Sequence, residues 1–182
     1  MKEAKDYFPL AMEELQALGA WAAACALRSL SIYERIVPED ARPRKAIEGI
    51  VEFSRSGKRT QALRILAMDA YRASLGARDA AAKAAAMAAS LAAASAYTHP
   101  FRDLRQAEHI LGPAAYSALA LELEGKGDED IGDGEIKWAI EMVNAETAGL
   151  LGKMPPRKTG EKRIGKLLYD LDCGIRKKFE LA

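Results

Sequence analysis

AAAKAAAMAASLAAASA, residues 80–96, decides the reading of this chain: twelve of its seventeen residues are alanine. Alanine is the strongest helix former because its side chain loses no rotamer freedom when the backbone coils. A surface of methyl groups also lets neighbouring backbones approach more closely than a leucine surface does. The stretch therefore predicts a central helix packed on several sides, opened by Asp79 and closed before Pro100.

Outward from it, nearly every segment carries the helical period, and no run alternates apolar and polar residues as a half-buried strand does. Helices are expected over about 9–36, 41–56 and 60–75, then from Pro100 or Phe101, from about 135 to 151, and from about Gly160 to the end. In the first, Trp21, Cys25, Arg28 and Ile32 share a face, so Arg28 either extends its charge outward or meets a buried carboxylate. In the third, Leu63, Ala67 and Ala70 point inward; in the fifth, Leu104, Ala107, Leu111, Ala115 and Ala118 do. Gly112-Pro113 interrupts that fifth pattern and marks a kink, or a continuing helix in which the His109 carbonyl loses its donor. The fold class is all-α: a single compact bundle of about six to seven helices around the alanine-rich one. Residues 1–123 form the helical core, 124–134 an acidic, glycine-rich flexible loop, and 135–182 a C-terminal helical pair packed on the core, one domain overall.

A chain of 182 residues buries enough surface to fold without a disulfide or a metal. A net charge of +1 argues against a globally basic nucleic-acid binder or an acidic tail protein, and nucleic acid is not expected as a partner. The charge is patchy: residues 122–146 hold nine acidic against two basic residues, and 153–178 hold nine basic against three acidic. The two segments either attract one another or leave a basic surface for an acidic partner. Cys25 and Cys173 both fall in apolar helical patterns, which predicts two buried free thiols and a reducing compartment. The N-terminal MKEAKDYFPLAMEEL carries acids where a secretory leader has its apolar centre, and Lys83 interrupts the alanine stretch, so a cytoplasmic protein without a membrane partner is expected.

Chemistry-bearing motifs are absent. No phosphate-cradling glycine loop, HExxH, CxxC or GxSxG occurs, and the two histidines, His99 and His109, are about 15 Å apart along a straight helix, too far to share a metal. No catalytic residue, metal or cofactor is assigned, and the chain is read as a non-enzyme. Two polar groups remain. Arg42, Arg44 and Lys45 crowd the positive end of a helix dipole, which calls for Glu34, Glu39 and Asp40 nearby or for a bound anion. Tyr97, His99, Arg102, Glu108, His109 and Tyr116 gather after the alanine helix, and tyrosine and arginine are favoured at interfaces.

Several pieces carry a resemblance: Trp21 to Arg28, Pro38 to Ile47 with its Arg-Pro-Arg, Ala96-Tyr-Thr-His-Pro100, Glu108-His-Ile-Leu-Gly112 with Pro-Ala-Ala-Tyr116, and Leu167 to Asp172. Their order resembles immunity proteins of bacterial polymorphic toxin systems, in the group named as similar to the fifth immunity family. The resemblance covers roughly 21–123 and, more loosely, the last helix. It implies an all-helical cytoplasmic protein that binds and neutralises a partner toxin. Arg42, Arg44, Tyr97, His99, Arg102, His109 and Tyr116 are the binding candidates. The alternatives are a small-molecule or nucleotide-binding helical protein and a homodimerising structural module.

Overall fold

The computed structural model describes residues 7–181. Residues 1–6, which belong to the N-terminal stretch read above for a leader, and residue 182 lie outside the described residues. Eight α-helices are present among the described residues: α1 Met12–Ile36, α2 Arg42–Ser56, α3 Gln61–Gly76, α4 Ala80–Ala94, α5 Leu104–Glu124, α6 Glu129–Met142, α7 Ala145–Gly152 and α8 Arg163–Lys178. The all-α bundle expected from periodicity is the observed fold.

α4 is its axis. The Asp79 carboxylate accepts from the Ala82 N–H at 2.8 Å and caps the helix, and a 3-10 turn, Ser95–Tyr97, ends it. α1, α2, α3 and α5 all pack on it, and ten of its fifteen residues are buried. Ala80, Lys83, Met87, Leu91 and Ala94, spaced by three or four, form the one line left toward the surface. Ser90 Oγ donates to the Ala67 carbonyl at 2.9 Å and sets the register between α3 and α4.

α1 contributes Leu15, Leu18, Trp21, Cys25 and Ile32 to the core. Its length and mean hydropathy of 1.2 over an 18-residue window suffice to cross a membrane, and 61% of that window is buried inside the bundle. Arg28 meets a carboxylate: it pairs with Glu135 of α6 and lies 4.1 Å over the Trp138 ring, while Trp21 Nε1 donates to the Ala139 carbonyl at 3.1 Å. Burial pushes the Cys25 thiol far up, but Cys173 is exposed, contrary to the expectation of two buried thiols; it sits on the outer face of α8, beside rather than within the stripe Leu167, Leu168, Leu171 and Ile175. Native protein treated with iodoacetamide is therefore expected to gain one adduct by mass spectrometry, at Cys173, with the second appearing only in denaturant.

The fifth helix starts later than expected. Residues 98–103 are non-helical, with the Phe101 N–H turning back to the His99 carbonyl and the Phe8 N–H donating to the Pro100 carbonyl, each at 2.9 Å, and Asp103 caps α5 by accepting from the Arg105 N–H at 2.7 Å. Leu104, expected inward, is therefore in the first exposed turn. Beyond it α5 continues unbroken through buried Pro113. Leu91 explains the adjacent Gly112: a Cβ there would lie 2.6 Å from Leu91 Cδ1, so its absence is the notch into which α4's leucine fits.

The acidic stretch is not a long flexible loop. Only residues 125–128 form a turn, with Gly127 at φ +82°, and α6 begins at Glu129, capped by Asp128 and favoured by Glu129 and Asp130 at its positive end. Gly132 is a packing glycine, since a Cβ there would collide with the Glu122 carboxylate. Arg163 of α8 holds that region together: Nε donates to both Glu122 oxygens at 3.0 and 2.9 Å, and Nη2 donates to Asp133 at 2.6 Å and to the Glu129 carbonyl at 3.1 Å. The helix expected to run to residue 151 is two. Asn144 divides it, accepting from the Thr147 N–H at 2.8 Å as the α7 cap and donating to the Ala17 carbonyl at 3.1 Å.

Much of the basic C-terminal segment is engaged within the chain. Besides Arg163, Lys153 pairs with Glu14 at 2.6 Å and Lys178 Nζ donates to the Ile140 and Glu141 carbonyls, each at 2.8 Å. Arg176 is buried against Asp172 at 3.0 Å. Attraction between the acidic and basic segments, one of the two readings left open, is what the structure contains.

Candidate functional site

The seven residues singled out by sequence are spread along the bundle. Arg42 and Arg44 open α2 beside the C-terminus of α1. Arg42 grips Asp40 with Nη2 at 2.6 Å and Nε at 2.9 Å, and Arg44 grips Glu34 at 2.5 and 2.9 Å. Two of the three nearby carboxylates thus offset the cations at the helix start. Asp40 lies one residue before the Ala41 cap position of α2 and accepts from the Arg42 N–H at 3.0 Å.

Asp40 also accepts from the Tyr33 hydroxyl at 2.7 Å. The Arg42 guanidinium, opposed by partial burial and helped by Tyr33, holds the Asp40 carboxyl well below its ordinary value of 3.8. Burial and the Asp40 contact push the Tyr33 phenol up to about 12. Because the Asp40 value is depressed in the folded state, its contribution to stability is fully present above the unfolded value and is lost as pH falls through the folded one. Urea midpoints should therefore fall between about pH 4 and pH 2, and Asp40→Asn, less stable at neutral pH, should flatten that slope.

Tyr97 and His99 lie toward the other end, past the 15 residues of α2, about 22 Å long, while α5 carries His109 and Tyr116 back from it, and Tyr116 packs against the cluster that holds Ile32 and Tyr33. The Tyr97 hydroxyl donates to the Thr60 carbonyl at 2.5 Å, and Arg64 lies 4.6 Å over its ring. The His99 N–H donates to Gln106 Oε1 at 2.8 Å, while its ring stacks on Phe101 at 5.7 Å. Arg102 is exposed. His109 is partly buried, with no hydrogen-bond partner for Nδ1 among the described residues, and desolvation pushes its pKa down. Tyr116 opens onto a cleft of about 390 Å³ shared with Glu108, Arg157 and Lys162. Burial, reinforced by the Glu108 charge, raises its phenol pKa, and Arg157 and Tyr71 are close enough to add smaller effects. The structure does not bring the seven together. Among the described residues, no group of three or more His, Cys, Asp or Glu is placed to hold a metal.

A surface that sequence reasoning passed over lies on α3. Ile65 is 50% exposed, Met68 46%, Tyr71 38% and Leu75 57%. They fall within roughly 120° of the helix circumference and span about 15 Å. The other side of α3 buries Leu63, Ala67, Ala70, Ala73 and Ser74, so this helix is apolar on two faces. The signal was present in the sequence: once 63, 67 and 70 are assigned inward, 65, 68 and 75 have to point away.

A family model described as Imm-5 like putative immunity protein matches residues 9–146, which run from just before α1 into the start of α7. No curated protein and no solved structure matches the chain.

Proposed function

The chain belongs to the Imm-5 like putative immunity protein family, and on that premise we propose that it binds a partner toxin protein in the cytoplasm and neutralises it without catalysing a reaction. The family match carries this reading, and the exposed apolar row on α3 supports it. Large apolar side chains grouped on a rigid helix mark an interaction surface rather than ordinary exposure. Neutralisation by binding needs such a preformed face and no nucleophile. Co-expression with the toxin-like product encoded beside the gene tests the reading: growth is restored and the two proteins co-purify. Failure of both would sink it.

A second reading, binding of a small anionic molecule, is favoured by the Tyr116 cleft. Its volume of about 390 Å³ lies in the range of small-molecule sites, and Arg157, whose buried Nε has no hydrogen-bond partner among the described residues, lines it with Lys162, alongside the acids Glu108 and Glu161. A thermal-shift screen across phosphates and nucleotides that raises the midpoint would favour this reading over the first.

A further inference from the structure

We propose that the outer face of α3, with the adjoining start of α4, is where the toxin docks, and that the toxin presents to it an apolar patch rimmed by carboxylates. This deepens the toxin-binding reading and rests on it. The apolar centre is the row Ile65, Met68, Tyr71 and Leu75. Along α3 and its flanking turns the charge is one-sided: residues 55–83 contain seven basic and two acidic residues, a net +5 in a chain whose total is +1, while the neighbouring helices bring near it Glu52 of α2 and Glu108 of α5. The two acids within 55–83 are already engaged, Asp69 with Arg72 at 2.8 Å and Asp79 as the α4 cap.

Elsewhere the arginines meet carboxylates from other parts of the chain, as in Arg28–Glu135, Arg35–Glu124, Arg44–Glu34 and Arg163–Glu122. Around α3, by contrast, Arg64, Arg78 and Lys83 have no carboxylate partner among the described residues. The Ser90–Ala67 hydrogen bond places Lys83 about two turns along the α3–α4 pair, level with Leu75. Cations thus stand at both ends and along one side of the apolar row.

That arrangement selects among occupants. A two-fold pairing with a second copy would set this basic rim against itself, and like charges brought together at an interface cost affinity. Nucleic acid would satisfy the cations and leave the apolar row facing phosphates. An anionic bilayer would need the row to sink below the headgroups, yet it is only about 15 Å long and has one aromatic residue. A protein face with carboxylates outside and apolar groups within completes both parts, and Met, Tyr and Arg are the residue types enriched where such contacts bury.

The test uses the full chain and the purified toxin domain encoded beside its gene. Met68→Asp is expected to weaken binding by about 30-fold or more, with an unchanged thermal midpoint because the side chain is exposed. Arg78→Glu with Lys83→Glu should lower the association rate about tenfold and reduce its salt dependence. Lys166→Ala, exposed on α8 away from the row, should change affinity by less than about threefold. If the unmodified chain binds and the α3 variants bind equally well, the surface falls and the toxin-binding reading stands. If the unmodified chain does not bind, both fall. A dimer in light scattering that Met68→Asp dissociates, or equal binding to vesicles containing phosphatidylserine, assigns the face to another occupant and overturns the proposal.

Discussion

Asp172→Ala is expected to destabilise the fold by about 3–5 kcal/mol, the usual consequence of removing one member of a buried ion pair. Asp172 is 0% exposed and Arg176 7%. The carboxylate receives the Arg176 Nε at 3.0 Å on both oxygens and the Arg157 N–H at 3.0 Å. Arg176 Nη2 in turn donates to the Leu151 and Met154 carbonyls at 3.1 and 2.9 Å. This cluster joins α7, the segment that follows it and α8. Without Asp172 the buried guanidinium loses its carboxylate on α8. A domain is typically stable by only about 5–15 kcal/mol, so the loss is a large fraction of the whole. Replacing both partners, Asp172→Ala with Arg176→Met, should recover much of it, because the guanidinium that lost this carboxylate is removed as well. Urea denaturation measures both; equal losses in the single and double variants would refute the charge argument.

The second large effect is at α4. Ala85, Ala89 and Ala93 are all 0% exposed, with four helices around them. Leucine at any one adds three carbons where no space exists, and each replacement should cost about 1–3 kcal/mol. Met87→Leu, on the outward line, should stay within about 0.5 kcal/mol. Unchanged melting temperatures for all three inward variants would show that α4 is peripheral.

Local chemistry was legible. The alanine helix, its Asp79 cap and the inward residues of α3 followed from propensity and period, because each depends on residues within a turn or two. The family was legible too, from the order of short motifs. What escaped depends on contacts between distant segments. Glu124 to Gly134 looks like a flexible loop until Arg163 arrives from α8 and grips Glu122, beside whose carboxylate Gly132 leaves room. Asn144 divides α6 from α7 although the apolar pattern runs straight past it, because its side chain bonds to α1. Arg42 and His99 looked like parts of one polar surface, and the length of α2 holds them apart. The α3 row was missed for a different reason: finding an inward stripe ended the search before the remaining apolar residues were placed.

A helix with methyl groups on every side has no preferred azimuth: rotated by one residue, it offers its neighbours nearly the same surface. α4 escapes that degeneracy through three features of differing shape. Leu91 enters the notch at Gly112, Ser90 reaches the Ala67 carbonyl, and Lys83 has to remain in water. Together they work as the teeth of a key, fixing one rotational phase for a rod that is otherwise uniform. The same phase aligns Lys83 with Leu75.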